Sequence, residues 1–189
     1  MGERLAESRF ADPGAEGRLV IRRSIALMLG ELQTNPYENH TLARVVDMGH
    51  TFSPSIESAS GFAVPHGDAV AIDIALTCQI ASNLGLLGRE DAARVLRLLV
   101  RLGLPTASEL LDLDLCRSAI HSAVLHRGGH LNLVVPTAIG RAGFIREPAG
   151  LPDNVLARGI DELHGASARN TVPAPLHPDQ PVAAAEARA

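Results

Sequence analysis

The chain has 189 residues, enough for one domain with a substantial hydrophobic core. Apolar residues make up 46% and charged residues 20%, but aromatics are only 3% with no Trp, so the core has to come from Leu, Ile, Val and Ala. That palette suits helices packed through aliphatic and small side chains. A formal charge of -4, with Arg22-Arg23 the only adjacent basic pair, argues against a nucleic-acid footprint. No apolar run approaches the ~20 residues of a membrane span, and no leader pattern opens the chain. A soluble cytoplasmic protein without membrane or nucleic-acid partners is the expectation. The two cysteines, Cys78 and Cys116, read as buried thiols in a reducing compartment, not as a disulfide.

Residues 1–15 are polar, with a turn at Asp12-Pro13-Gly14, and read as an N-terminal extension. Leu19, Ile21, Ile25, Leu27, Met28, Leu29 and Leu32 then recur at a helical period over residues 16–33, and Asn35-Pro36 stops that helix. A second helix is predicted from an N-cap at Thr41 through Leu42, Val45, Val46 and Phe52, with Pro54 ending or kinking it. After a loop at 58–65 the pattern predicts a nearly all-apolar, buried helix over 66–84, an amphipathic helix over 89–102, and helices over 106–111 and 114–126. Arg127-Gly128-Gly129-His130 reads as a turn. The extended run 131–135, ended by Pro136, is predicted to pair with the stretch around Phe144-Ile145 as a small hairpin. Pro152 opens a helix over 155–163, and the Ala- and Pro-rich residues 166–189 read as a disordered tail. The expected architecture is all-α with one β-hairpin, in a domain spanning residues 16–165.

Eight histidines are present, and two stand in suggestive phrases: Gly49-His50-Thr51-Phe52-Ser53-Pro54-Ser55-Ile56-Glu57 and Pro65-His66-Gly67-Asp68-Ala69-Val70-Ala71-Ile72-Asp73. Two imidazoles beside helical segments in a short apolar hairpin read either as two ligands of one metal ion or as two satisfied core histidines. A catalytic zinc site takes three protein ligands and leaves one position open. Glu57 lies seven residues after His50, about 10.5 Å along a continuous helix, too far to share the ion; Asp73 stands in the same relation to His66. Asp47, three residues before His50, has three readings: a ligand, an acceptor orienting the imidazole, or a plain surface carboxylate.

The segment Arg44-Val45-Val46-Asp47-Met48-Gly49-His50-Thr51-Phe52-Ser53-Pro54-Ser55-Ile56-Glu57, followed by His66-Gly67-Asp68-Ala69-Val70, resembles the C-terminal helical domain of the dehydroquinate synthase superfamily of sugar phosphate cyclases. Members carry a Gly-His-Thr-Phe phrase and a His-Gly-Glu-Ala-Val phrase at this spacing. Asp47 and Ser53-Pro54, where dehydroquinate synthases typically have Asn and Gly-His, look instead like the sedoheptulose-7-phosphate cyclases, in particular the epi-valiolone synthases. Residues 21–29, Glu31-Leu32-Gln33-Thr34-Asn35-Pro36, His126-Arg127-Gly128-Gly129, Val135-Pro136 and Ile139-Gly140 carry the same resemblance.

The resemblance implies His50 and His66 as metal ligands, with zinc, cobalt or iron suiting the donor set. It implies Asp47 and Asp73 near substrate hydroxyls, and Arg44 and Arg127 toward the phosphate, with Pro54 also on the substrate side. The family reaction oxidises a hydroxyl transiently with NAD, eliminates phosphate, returns the hydride and closes the ring by an aldol step. The family's NAD-holding α/β domain, and the helix carrying its third ligand (a Glu followed by a Lys), have no match here; the chain contains no lysine at all. Three readings follow. The chain is the metal and substrate half of a cyclase that needs an NAD-binding N-terminal-domain partner in a hetero- or homo-oligomer, and is inactive alone. Or it is a non-catalytic remnant or helical interaction module. Or it is the C-terminal half of a dehydroquinate synthase. A kinship with metal-dependent alcohol dehydrogenases fits poorly, because the second histidine expected four residues after His50 is Pro54.

Overall fold

A computed structural model describes residues 14–33 and 43–169. The expected Asn35-Pro36 stop, the Thr41 cap, most of the N-terminal extension and nearly all of the C-terminal tail lie outside the described residues. Six helices and one hairpin follow in order: α1 (Gly14–Gln33), α2 (Ser53–Ala59), α3 (His66–Asn83), α4 (Arg89–Arg101), α5 (Leu113–His126), β1 (Leu133–Ala138), β2 (Arg141–Ile145) and α6 (Asp153–Arg169). Short 3-10 turns occupy Val45–Asp47 and Pro148–Gly150. The all-α expectation with one hairpin holds.

Helix α3 is the central post. Ala69, Ala71, Ile72, Ala75, Leu76, Cys78, Ile80 and Ala81 are all buried, so it has apolar contact on nearly every side. Helices α2, α4 and α6 and strand β1 pack against it. The approach of α6 is close because Gly159 offers no side chain; a Cβ there would stand 3.3 Å from Leu76 Cδ1. Glu162 of α6 ties the same pair by accepting from Gln79 Nε2 (3.3 Å) and Asn83 Nδ2 (3.1 Å). Phe52, Ile56, Leu111, Cys116, Leu131, Leu133, Leu156 and Leu163 complete the core.

Several boundaries differ from the sequence reading. The predicted second helix is not continuous: the 3-10 turn ends at Asp47, Gly49 adopts φ 83°, and α2 starts afresh at Ser53. Pro54 therefore opens α2, in the first turn where its missing N–H costs nothing. Residues 106–111 form turns, not a helix; the helix signal there begins at Asp112, whose carboxylate caps α5 by accepting from Leu115 N at 2.7 Å. Pro136 does not end β1 but sits within it, beside a bulge between Pro136 and Ala138. Helix α6 continues to Arg169, past the expected domain end at 165, and α1 reaches back to Gly14.

Helix α1 differs from the others in having almost no core of its own. Leu19, Ile21, Ile25, Leu27, Met28 and Leu29 are each at least 41% exposed, and its main packing partner within the described residues is the 3-10 turn at 45–47. No helix of the described residues is long and apolar enough to cross a membrane.

Both thiols are free and buried, as the sequence suggested, and burial pushes each up to about 12. Titration of the native chain with an aromatic disulfide reagent at pH 8 should leave Cys78 and Cys116 unmodified, while the same reaction in denaturant should count two thiols.

Candidate functional site

The site forms where the turn at 48–52 meets the start of α3. Gly49 makes this meeting possible. A Cβ on Gly49 would stand 2.9 Å from Ile74 Cγ1 and 3.0 Å from Val70 Cγ1, and its φ of 83° is one that L side chains avoid. The backbone thus presses onto α3 and turns sharply, and the next residue, His50, emerges exposed beside His66.

The two rings lie side by side, with centroids 5.5 Å apart and planes tilted by 58°. Two imidazoles on one tetrahedral ion, with metal–nitrogen bonds of about 2.0–2.1 Å, place ring centres roughly 5 Å apart. The observed spacing fits that arrangement. His50 Nδ1 lies 3.3 Å from Met48 O, and a carbonyl can only accept, so this nitrogen carries the proton and Nε2 keeps the lone pair. His66 Nδ1 lies 3.0 Å from Glu57 Oε1. Among the described residues no third His, Cys, Asp or Glu joins the two rings in a metal-binding cluster.

The remaining sequence candidates divide into two groups. Asp47 and Arg44 stand at the opening as a two-point ion pair: Arg44 Nε donates to Asp47 Oδ2 at 3.0 Å, and a terminal nitrogen meets Oδ1 at 3.0 Å. Both side chains remain about one-fifth exposed. Asp47 is thus bound to Arg44, not to the His50 ring, and of its three readings the orienting one loses its contact. Pro54 is exposed on the first turn of α2.

Asp73 and Arg127 face inward instead, each engaged by the protein's own backbone and side chains. Asp73 is fully buried. Its Oδ2 accepts from Thr51 N (2.9 Å), Phe52 N (2.6 Å) and Ser53 N (2.9 Å), and its Oδ1 from Thr77 Oγ1 (3.1 Å). Fully enclosed and with both oxygens engaged, it serves as the N-terminal cap of α2, supplied from α3 in place of a local cap. Burial raises its carboxyl above the ordinary range, and the four donors pull the other way.

Arg127 is half-buried and donates to Leu131 O (2.8 Å), Asn132 O (3.4 Å), Thr51 Oγ1 (3.1 Å) and His50 O (3.0 Å). Through Nη1 and Nη2 its guanidinium straps the histidine turn to the loop before β1. Burial lowers its pKa, and the nearby Asp47 and Asp73 carboxylates oppose that shift.

One functional neighbour escaped the sequence reading. Glu57 was set 10.5 Å from the ion on the assumption of a continuous helix. The break at Gly49 and the reversal at 60–65 replace that continuous helix and bring the carboxylate to the His66 ring, while among the described residues it joins no metal-binding cluster. The available signal was Gly49 itself, a residue that interrupts helices.

A family model described as 3-dehydroquinate synthase C-terminal matches residues 4–123. The chain belongs to this family. Within it, the chain is similar to the 2-epi-5-epi-valiolone synthase of Streptomyces glaucescens, at 45% identity over 79% of this chain and 39% of that protein. It is also similar to the demethyl-4-deoxygadusol synthase of Trichormus variabilis, at 31% identity over 77% of this chain and 37% of that protein. Among solved structures it matches ValA, the 2-epi-5-epi-valiolone synthase of Streptomyces hygroscopicus subsp. jinggangensis 5008 with NAD+ and Zn2+ bound, with a TM-score of 0.78 and 37% identity over 87% of this chain and 44% of that one. The chain therefore spans well under half the length of these relatives. As a dehydroquinate synthase-type C-terminal domain it carries the helical part of the fold, with the paired histidines at its surface.

Removing the Asp73 carboxylate strips buried backbone donors of a charged acceptor. Asp73→Ala should lower the unfolding free energy by roughly 3–5 kcal/mol. Asp73→Asn, which keeps one acceptor oxygen, should lose less. Urea titrations followed by circular dichroism measure both, and equal stability of all three proteins would contradict the capping role.

Proposed function

We propose that this chain is the metal- and substrate-binding half of a sugar phosphate cyclase that converts sedoheptulose 7-phosphate into a C7-cyclitol such as 2-epi-5-epi-valiolone. The observation that carries the reading is the convergence of the His50 and His66 rings at 5.5 Å. Those two residues would hold zinc or cobalt; such an ion supplies Lewis-acid polarisation of a hydroxyl or carbonyl oxygen. The rest of the coordination, and NAD, would come from protein outside this chain, in keeping with a chain that spans 39% of its Streptomyces glaucescens relative.

The chain's own residues have separable tasks. Asp47, fixed by Arg44 through two contacts, would offer an acceptor to a substrate hydroxyl. Arg44 would lend positive charge for the phosphate, and the exposed Pro54 would be a further substrate-side residue. Asp73 and Arg127 keep the histidine turn in place from beneath, so that both rings are set before substrate arrives. The apolar face of α1, with Leu27 75% exposed and Met28 50% exposed, is the surface on which the NAD-binding part would dock, since obligate interfaces are apolar. Two free buried thiols suit the cytoplasm for this assembly.

Reconstitution tests the proposal directly. The 189-residue chain alone should release no phosphate from sedoheptulose 7-phosphate. Co-expressed with the N-terminal remainder of the Streptomyces glaucescens synthase and supplied with NAD, it should co-purify with that portion and release phosphate. Absence of both would remove the cyclase reading and leave a helical interaction module.

Metal content provides a second measurement. The reconstituted complex should hold about one zinc per chain, and His50→Ala or His66→Ala should each abolish stoichiometric binding without changing the helical content, since both side chains are exposed.

A further inference from the structure

We propose that Glu57 is a positioning residue that sets the tautomer of His66. The inference rests on the metal role proposed above for its purpose, but not for its geometry. Glu57 Oε1 lies 3.0 Å from His66 Nδ1, and the carboxylate is the more sheltered partner, with 20% of its side chain exposed against 63% for the ring. An ionised carboxylate only accepts, so His66 donates its Nδ1 proton and retains its lone pair on Nε2. His50 reaches the same state through a different acceptor, the carbonyl of Met48. The two rings therefore present the same nitrogen, Nε2, as the available donor to an ion.

The segment between Glu57 and His66 is locked. The Glu57 carbonyl accepts from Ser60 Oγ at 2.7 Å and from Phe62 N at 2.8 Å, and Ser60 Oγ in turn accepts from Val64 N at 3.1 Å. Phe62 sits in the left-handed region at φ 63°, a conformation costly for a phenylalanine, yet its ring is 78% exposed and gains little from burial. A chain reversal that holds an unfavourable backbone angle keeps the start of α3 against the end of α2 and so keeps the carboxylate on the ring. A largely exposed carboxylate–imidazole pair adds too little to stability for that to be its main consequence. Orientation and tautomer are what it controls.

Nitrogen-15 imidazole spectra of the metal-free 189-residue chain, in mildly alkaline buffer, read the tautomer without any requirement for activity. In the native protein His66 should appear as the Nδ1–H form, against the Nε2–H preference of free histidine. Glu57→Ala should return His66 to the Nε2–H form. Glu57→Gln, whose amide oxygen still accepts, should keep it as Nδ1–H. The His50 signals should stay unchanged in both variants, which also reports that the fold is intact. In the reconstituted complex, zinc competition against a chromophoric chelator should show affinity reduced about 10- to 100-fold by Glu57→Ala and less by Glu57→Gln. A native His66 in the Nε2–H form, or one indifferent to Glu57→Ala, overturns the assignment. If the tautomer responds as described while no protein binds zinc, the metal reading fails and the positioning role stands.

Discussion

The carboxylate of Asp73 is the contact on which the arrangement depends. It rises from the middle of the most buried helix and collects three consecutive backbone N–H groups from Thr51, Phe52 and Ser53. A buried charge is costly unless its hydrogen-bonding capacity is met, and here Thr77 supplies a fourth donor. The start of α2 has no cap of its own, so the two needs are met together. The consequence is positional. The residues whose amides bind Asp73 directly follow His50, and Asp73 lies two turns along the helix that begins with His66. One carboxylate thus relates both histidines to a common frame.

Arg127 completes that frame from the other side by holding the carbonyl of His50 and the loop before β1. Electrostatically the two inward groups complement each other, as the Asp73 and Asp47 carboxylates both favour the charged guanidinium that burial disfavours. Cys116 on α5 feels the same field: burial raises its thiol first, and the charges of Asp73 and Asp112 add to the shift. The charged groups beneath the site are therefore spent on architecture. Those at the opening, Asp47 and Arg44, remain partly accessible to solvent and to any ligand.

The site is one-sided. The imidazoles stand at the surface, and α1 exposes Leu19, Ile21, Ile25, Leu27, Met28 and Leu29. A helix that is apolar over most of its circumference is ordinarily enclosed by other structure. Within the described residues α1 is not enclosed, and this face is the docking surface proposed above.

Much of this was legible in the residues. The two histidine phrases carried the family, and the apolar run of α3, with little polar face between Ala69 and Ala81, announced the central helix. Cys78 and Cys116 read correctly as buried thiols. What failed had a common cause. Helical periodicity extends a pattern until something stops it, and it carried the second helix across Gly49, where contact with Val70 and Ile74 bends the chain. That single error displaced Glu57. The resemblance set Asp73 and Arg127 toward the substrate, but a carboxylate or guanidinium serves equally well as a substrate contact or as a structural one. Only the packing of α3 against the turn decides which, by enclosing one side chain completely and leaving Asp47 in reach of water. The amino-acid order by itself determined which chemistry is present and where the long helices run; tertiary contact decided where each charge points, because burial and hydrogen-bond partners come from segments distant in the chain.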